Sequence, residues 1–316
     1  MKNTRKIIAI LMLTVLMVAL LAGCGKDREL YKKAKLENYI EVPEYKGITI
    51  DTNSDEFKEY YDGILASDIE DNDLYEEEKE GTVEDGYIAN IDYVGKIDGV
   101  AFDGGSAKSY NLKIGSNTFI DDFEEELIGV KVGETKDVTA TFPENYSNNP
   151  DLAGKEAIFT VTVNYLGRPM TVEEAYLSMN FASAEKYHEN ITSRAAEAYL
   201  FNYVCNGAKI NDYPENDKKI IGDAIYEVYA ADYAAQGYDF QQILTYNNIT
   251  VESFKNELTT ELMRTNMVMY YIFDAEGLEL LESTLEKQTV SDPVLAESYA
   301  VQEIVIAFLY ENAVIK

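Results

Sequence analysis

The sequence predicts an α+β domain followed by an all-helical one, and three observations carry that prediction. Between Gly81 and Gly167 short runs alternate apolar with polar residues and are separated by Gly, Asp and Asn, the texture of an antiparallel sheet. One helical stretch sits among these runs, which places the segment in the α+β class. After Pro169 the apolar spacing becomes helical and stays so to the end of the chain. The 316 residues allow two or three domains, and a hydrophobic content of 46% is enough to give them cores.

The chain opens with Lys2, Arg5 and Lys6, an uncharged run from Ile7 to Leu21, and then Leu21-Ala22-Gly23-Cys24. A basic region, an apolar region and small residues, in that order, make residues 1–23 a secretory signal. The alternative is an uncleaved anchor helix, although the apolar run is shorter than the about 20 residues that a spanning helix needs. Leu-Ala-Gly-Cys resembles the bacterial lipobox. That resemblance implies cleavage before Cys24, acylation of its thiol, and a chain held at the extracytoplasmic face of the cell membrane by about 0.8 kcal/mol per buried methylene. Losing Lys2, Arg5 and Lys6 takes the formal charge from −30 to −33, which argues against nucleic acid and against an anionic membrane surface as partners. With Cys24 acylated, Cys205 has no partner, so the domains rest on their cores and not on disulfides.

Residues 24–80 read as a lipidated leader, an extended arm and a helical linker. The leader, 26–35, is charged and without apolar periodicity, which predicts flexibility. Residues 39–43 and 45–50 are extended. A helix is predicted over 55–79, with Phe57, Tyr60, Tyr61, Ile64 and Leu65 on one face. Its acidic second half reads as a solvated face or linker, because the glycine of a calcium loop is absent. Strands are predicted at 88–94, 136–142 and 157–165, with a short helix at 119–127 closed by Gly129. In the helical part, Thr171 caps a first helix and 184–204 is periodic. The run 217–235 ends at Gly237, Thr250 caps a run to Phe273, and Asp292-Pro293 opens a last helix to Asn312.

The most specific signal lies in the sheet segment. Asp92-Tyr93-Val94-Gly95 is followed by Gly99-Val100-Ala101-Phe102-Asp103-Gly104-Gly105 and Leu112-Lys113-Ile114-Gly115, then Phe119-Ile120, Phe123-Glu124 and Leu127-Ile128-Gly129-Val130-Lys131-Val132-Gly133-Glu134. Phe142-Pro143-Glu144-Asn145-Tyr146 and Leu152-Ala153-Gly154-Lys155 continue the series to Phe159. This ordered series resembles the FKBP-type peptidyl-prolyl cis-trans isomerase domain, in the version found in trigger factor. The resemblance implies an FKBP-type antiparallel sheet wrapped on a short helix over residues 81–168, and isomerisation of X-Pro bonds. Rotation about that amide faces a barrier of about 18–20 kcal/mol, and no bond to the substrate need form, so neither cofactor nor metal is expected. An apolar pocket that favours the twisted amide over the planar one suffices.

By the same resemblance the catalytic positions are Tyr93, Phe102, Asp103 and Phe159, and the substrate-binding positions are Tyr110, Phe119, Ile120, Phe123 and Tyr146. Phe102, Phe123 and Phe159 would wall and floor the proline site, and the Ile120 N–H would hold a substrate carbonyl. Asp103 would sit at the mouth, held by Tyr93, where a fixed carboxylate acts on the twisting carbonyl. Plain core packing is the alternative for the phenylalanines, and a turn before Gly104 for Asp103. Two departures stand out. Phe123 occupies the position of the family's common floor tryptophan, as in trigger-factor domains. The flap tyrosine is nearest Tyr146, with the register blurred over 147–150 and no flap histidine, which puts macrolide binding in doubt.

Looser likeness to trigger factor extends through Tyr45-Lys46-Gly47-Ile48, Ile210-Asn211-Asp212-Tyr213-Pro214-Glu215, Gln236-Gly237-Tyr238-Asp239-Phe240 and Ala275-Glu276-Gly277-Leu278. It implies an all-α chaperone domain over 169–316 that holds unfolded polypeptides. The family's ribosome-binding domain has no counterpart, so no ribosome contact is expected. Tyr226, Tyr229, Tyr233, Tyr238, Phe254, Met263, Met267, Met269, Tyr270 and Tyr271 either line a client surface or, at helical spacing, form the core. His188 lacks the second histidine of a metal helix, and Gly104-Gly105 lacks the ending of a phosphate loop. The expected function is a membrane-anchored foldase for exported proteins. The rivals are a holdase with an inactive isomerase pocket and a surface scaffold.

Overall fold

The structure is a computed structural model that describes residues 30–120, 122–146, 149–290 and 292–316. The signal and Cys24 lie outside the described residues, as do Ser147 and Asn148 of the flap stretch. The strands in chain order are β1 (Ile40–Glu41), β2 (Thr49–Ile50), β3 (Tyr75–Glu78), β4 (Ile88–Ile97), β5 (Val100–Lys113), β6 (Thr135–Thr141), β7 (Glu156–Pro169), β8 (Lys209–Ile210) and β9 (Val314–Ile315). The helices are α1 (Asp55–Asp71), α2 (Phe123–Leu127), α3 (Val172–Ala175), α4 (Ala184–Gly207), α5 (Glu215–Ala235), α6 (Phe240–Tyr246), α7 (Val251–Ala275), α8 (Glu282–Leu285) and α9 (Pro293–Glu311). Contacts divide the chain into two compact units: Tyr61–Ser193, and the described residues up to Tyr60 together with Arg194–Lys316.

In the first unit β7 is the spine of a five-stranded antiparallel sheet. β4 pairs along one side of it and is itself paired with β5, while β6 and β3 follow one another along the other side. Period-two alternation turns Ala157, Phe159, Val161 and Val163 of β7, Val138 and Ala140 of β6, and Ala89 and Ile91 of β4 to one face. α2 lays Phe123 and Leu127 on that face, closing one core. Each such large side chain contributes roughly 1.5–3 kcal/mol on burial. The register of β4 shifts against β5 across Asp92 and against β7 between Asn90 and Ile91. The Asp92 carboxylate spans both: it accepts from the Ser109 N–H at 2.8 Å and from Asn164 Nδ2 at 2.9 Å. Those two donors hold its pKa below the usual carboxylate value.

The helix expected over 55–79 stops at Asp71. Asp73 takes a left-handed conformation, φ +52°, and the acidic run beyond it pairs as β3 with the end of β7, Glu78 opposite Leu166. Arg168 secures this edge, with Nε 2.8 Å from Glu78 and Nη2 2.8 Å from Glu174. The guanidinium, together with the Thr171 N–H, pulls the Glu174 pKa down to about 2. Ile69 and Leu74 pack with Val172, Ala175, Tyr187 and Ile191 in a second small core, where the Tyr187 hydroxyl donates to Asp68 at 3.0 Å.

In the other unit α5, α7 and α9 pack on one another. The expected caps form: Thr250 Oγ1 accepts from the Ser253 N–H at 3.0 Å, and Asp292 accepts from Val294 and Leu295 at 2.9 and 3.0 Å with Pro293 in the first turn. Tyr229, Phe254, Met263, Met267, Met269 and Tyr270 are buried, so most of the tyrosine and methionine stripe is core. β1 pairs with β8 and β2 with β9, fixing the extended arm. The flexible leader expected over 26–35 is corrected at Leu30 and Tyr31. Leu30 and Tyr31 are buried, the Tyr31 N–H donates to Asp217 at 2.7 Å, and the Tyr31 ring meets Tyr270 at 5.0 Å. Two residues are too short a run to show periodicity.

Candidate active site

Four parts of the sheet unit deliver apolar side chains, nearly all aromatic, to one place. β4 brings Tyr93, β5 brings Phe102 and Tyr110, β7 brings Phe159, and α2 with the loop before it brings Phe119, Ile120 and Phe123. Phe123 and Phe159 are buried and meet edge to face at 5.2 Å, making a floor. Tyr93 stands over both at 6.2 Å and touches Tyr110 at 6.1 Å and Phe119 at 5.5 Å. Phe119 stacks on Phe123 at 4.4 Å. Such offset and perpendicular pairs satisfy the ring quadrupoles while leaving faces free. Tyr93, Phe102, Phe119 and Ile120 are only half-buried, and Tyr110 is 39% exposed. Burial, and then Tyr110 nearby, push the Tyr93 pKa up.

Two glycines make the room. A Cβ on Gly95 would lie 2.5 Å from Phe159 Cε1, and one on Gly105 would lie 2.6 Å from the Phe102 ring. Both rings therefore lie directly on backbone, which explains why glycine stands at these positions. Phe142, at the end of β6, completes the wall: its ring is 5.7 Å from Phe102 and 4.9 Å from Tyr146. It was not among the expected site residues, although its place in the alternation Val138, Ala140, Phe142 marks it as inward-facing. Tyr146 reaches the group through Phe142.

Asp103 departs from expectation. With Phe102 turned inward its neighbour turns out, and Asp103 is exposed. Among the described residues neither Asp103 nor the Tyr93 hydroxyl has a hydrogen-bond partner, so the expected tether between them is not formed. The sharpest electrostatic feature is instead Glu124, 7% exposed, which takes up the backbone N–H groups of Asn117, Thr118 and Phe119. Burial pushes its pKa up, but those N–H groups and the Ser116 hydroxyl outweigh burial and hold it below the usual carboxylate value.

Residues 79–164 match the family of FKBP-type peptidyl-prolyl cis-trans isomerases. This part of the chain is an FKBP-type domain. The chain is 51% identical over 142 residues to the trigger factor of Clostridium perfringens, covering 44% of this chain and 33% of that one. It is 31% identical over 291 residues to the trigger factor of Staphylococcus carnosus, covering 84% and 64%. The trigger factor of Staphylococcus saprophyticus is 30% identical, with 84% and 65% covered. The chain thus spans between a third and just under two thirds of the length of these curated relatives. Against a solved structure of the trigger factor chaperone, 96% of this chain and 80% of that one overlay at 15% identity and a TM-score of 0.25.

The rings of the FKBP-type domain form an apolar aromatic box, and an amide that enters such a box loses water. A planar amide is the more polar form, through its resonance, so transfer into such a box favours the twisted form. A groove of about 690 Å³ in the helical unit, lined by Tyr238, Asp239, Gln242, Ile243 and Tyr246 among others, has no comparable convergence of rings on a buried floor.

Proposed function

We propose that the chain is a peptidyl-prolyl cis-trans isomerase and chaperone, tethered to the cell membrane through Cys24 and acting on exported proteins. The aromatic box carries this reading. Phe123 and Phe159 form its floor, Phe102 and Phe142 its wall, and the Ile120 N–H at the rim, bonded to nothing among the described residues, is free to hold a substrate carbonyl. Likeness to trigger factors supports the second half of the reading, in which residues 169–316 hold an unfolded client while residues 81–168 isomerise its X-Pro bonds. Export and acylation rest on the signal-like start and on Leu21-Ala22-Gly23-Cys24.

A protease-coupled assay on a proline peptide tests the enzyme: a rate above background is expected, and its loss in Asp103→Leu with Phe159→Ala. Absence of any rate contradicts it. Labelling with a radioactive fatty acid in cells is expected for the natural chain and not for Cys24→Ala; equal labelling contradicts the anchor. The untethered Asp103 favours a second reading, a holdase that binds proline-containing segments without turning them over. It predicts peptide binding with no rate.

A further inference from the structure

We propose that Glu124 is a positioning residue of the proline site: by taking up the three N–H groups that precede it, its carboxylate presents the Ile120 N–H and the Phe119 ring to the substrate. The inference rests on the pocket reading above.

Glu124 Oε2 accepts from the Asn117 N–H at 3.0 Å, and Oε1 accepts from the N–H groups of Thr118 at 2.9 Å and Phe119 at 3.1 Å. The hydroxyl of Ser116 donates at 3.1 Å, and that of Thr118 lies at 3.5 Å. Successive N–H groups curved around one point form a concavity that suits an anion. Asn117, at φ +54°, makes the curve. The anion here is the chain's own. Among the described residues Glu124 has no cationic partner, so its buried charge is compensated by these dipoles alone. The loop cannot relax away without stranding that charge, which is costly.

The row of donors ends where the substrate would begin. The N–H groups of residues 117, 118 and 119 are consumed, while that of Ile120 donates to nothing among the described residues. Glu124 also follows Phe123 directly, and the Phe123 ring stacks on Phe119 at 4.4 Å and 30°. One carboxylate therefore sets the rim donor and the floor ring together. Because a carbonyl held at the rim is held in both ground and transition states, losing the alignment raises KM and leaves kcat nearly alone.

The test uses the full chain in detergent and a proline tetrapeptide, reading Kd, kcat, KM and Tm for the natural chain, Glu124→Gln and Val163→Ala. Val163 is a core residue of β7, opposite Ile91, with no hydrogen bond to the loop 116–120, and its truncation supplies a drop in Tm for comparison. Glu124→Gln is expected to raise Kd and KM about tenfold, the loss of one well-aligned hydrogen bond, with kcat within about threefold. Val163→Ala is expected to keep Kd within about twofold at temperatures where it is folded. Unchanged Kd in Glu124→Gln, or an equal rise in Val163→Ala, overturns the inference. Should Glu124→Gln fail to fold, amide exchange on the natural chain decides. The Ile120 amide is expected to slow about tenfold when peptide saturates the site, with those of Asn117, Thr118 and Phe119 already protected. An Ile120 amide indifferent to bound peptide overturns the inference. A natural chain that neither binds nor isomerises the peptide overturns the pocket reading itself, a different result from a competent chain indifferent to Glu124→Gln.

Discussion

The two units use the same kinds of side chain to opposite ends. In the helical unit Phe254, Met263, Met267 and Tyr270 are at most 1% exposed, sealed where α5, α7 and α9 meet. In the FKBP-type domain Tyr93, Phe102, Phe119 and Tyr110 meet more rings than these do, yet each keeps part of its surface in solvent. Ring contact by itself does not mark a site, since Phe254 meets both Tyr229 and Phe240 and is sealed. Incomplete burial over a floor cleared by Gly95 and Gly105 does.

The largest expected effect breaks the comparison open. Phe159→Ala and Phe254→Ala each remove a buried ring and should each cost about 3–5 kcal/mol, read by urea unfolding with a probe in the affected unit. Per folded molecule only Phe159→Ala should lose isomerisation; equal losses would make the box ordinary core. Next comes Gly95→Ala. A methyl at 2.5 Å from Phe159 forces the ring off the floor, with an expected cost of about 1–3 kcal/mol and weaker peptide binding. Unchanged binding would show that the Phe159 ring does not need that backbone.

Acid offers a third test. The Glu124 pKa is depressed in the folded chain, so its contribution is fully present above the ordinary carboxylate range and is lost as pH falls through the depressed value. The Tm of the natural chain should fall over that acid range more steeply than that of Glu124→Gln. Parallel curves would remove Glu124 from the account. The smallest effect is Tyr93→Phe. Its hydroxyl has no partner among the described residues, so stability should change by no more than about 0.5 kcal/mol. A loss above about 1 kcal/mol would signal a hydrogen bond, restoring the tether to Asp103.

Much of this arrangement is legible in the residues themselves. Thr250 and Asp292-Pro293 announce their helices because a cap is a local contract between a side chain and the next turn. The strands of the sheet announce themselves by alternation, and the ordered motifs around Tyr93, Phe102, Phe123 and Phe159 point to rings that do converge. Most of the unread parts depend on partners distant in sequence, and the shortened helix is a local exception. The helix at 119–127 shortens to Phe123–Leu127 because Glu124 folds back on the loop before it. The acidic run after Asp71 looks helical until β7 supplies a strand to pair with. Leu30 and Tyr31 look like leader until Asp217 and Tyr270 meet Tyr31. The register shifts beside Asp92 are invisible in β4 alone, since the extra residues belong to β5 and β7.

The central claim is that proline binds and turns in the aromatic box and not on the exposed tyrosines of the helical unit. Exchange NMR on a proline peptide with the full chain tests it directly. The prediction is accelerated cis-trans exchange, with intermolecular NOEs from the proline ring to Phe102, Phe123 and Phe159. Unaccelerated exchange, or NOEs confined to Tyr238 and Tyr246, would contradict it.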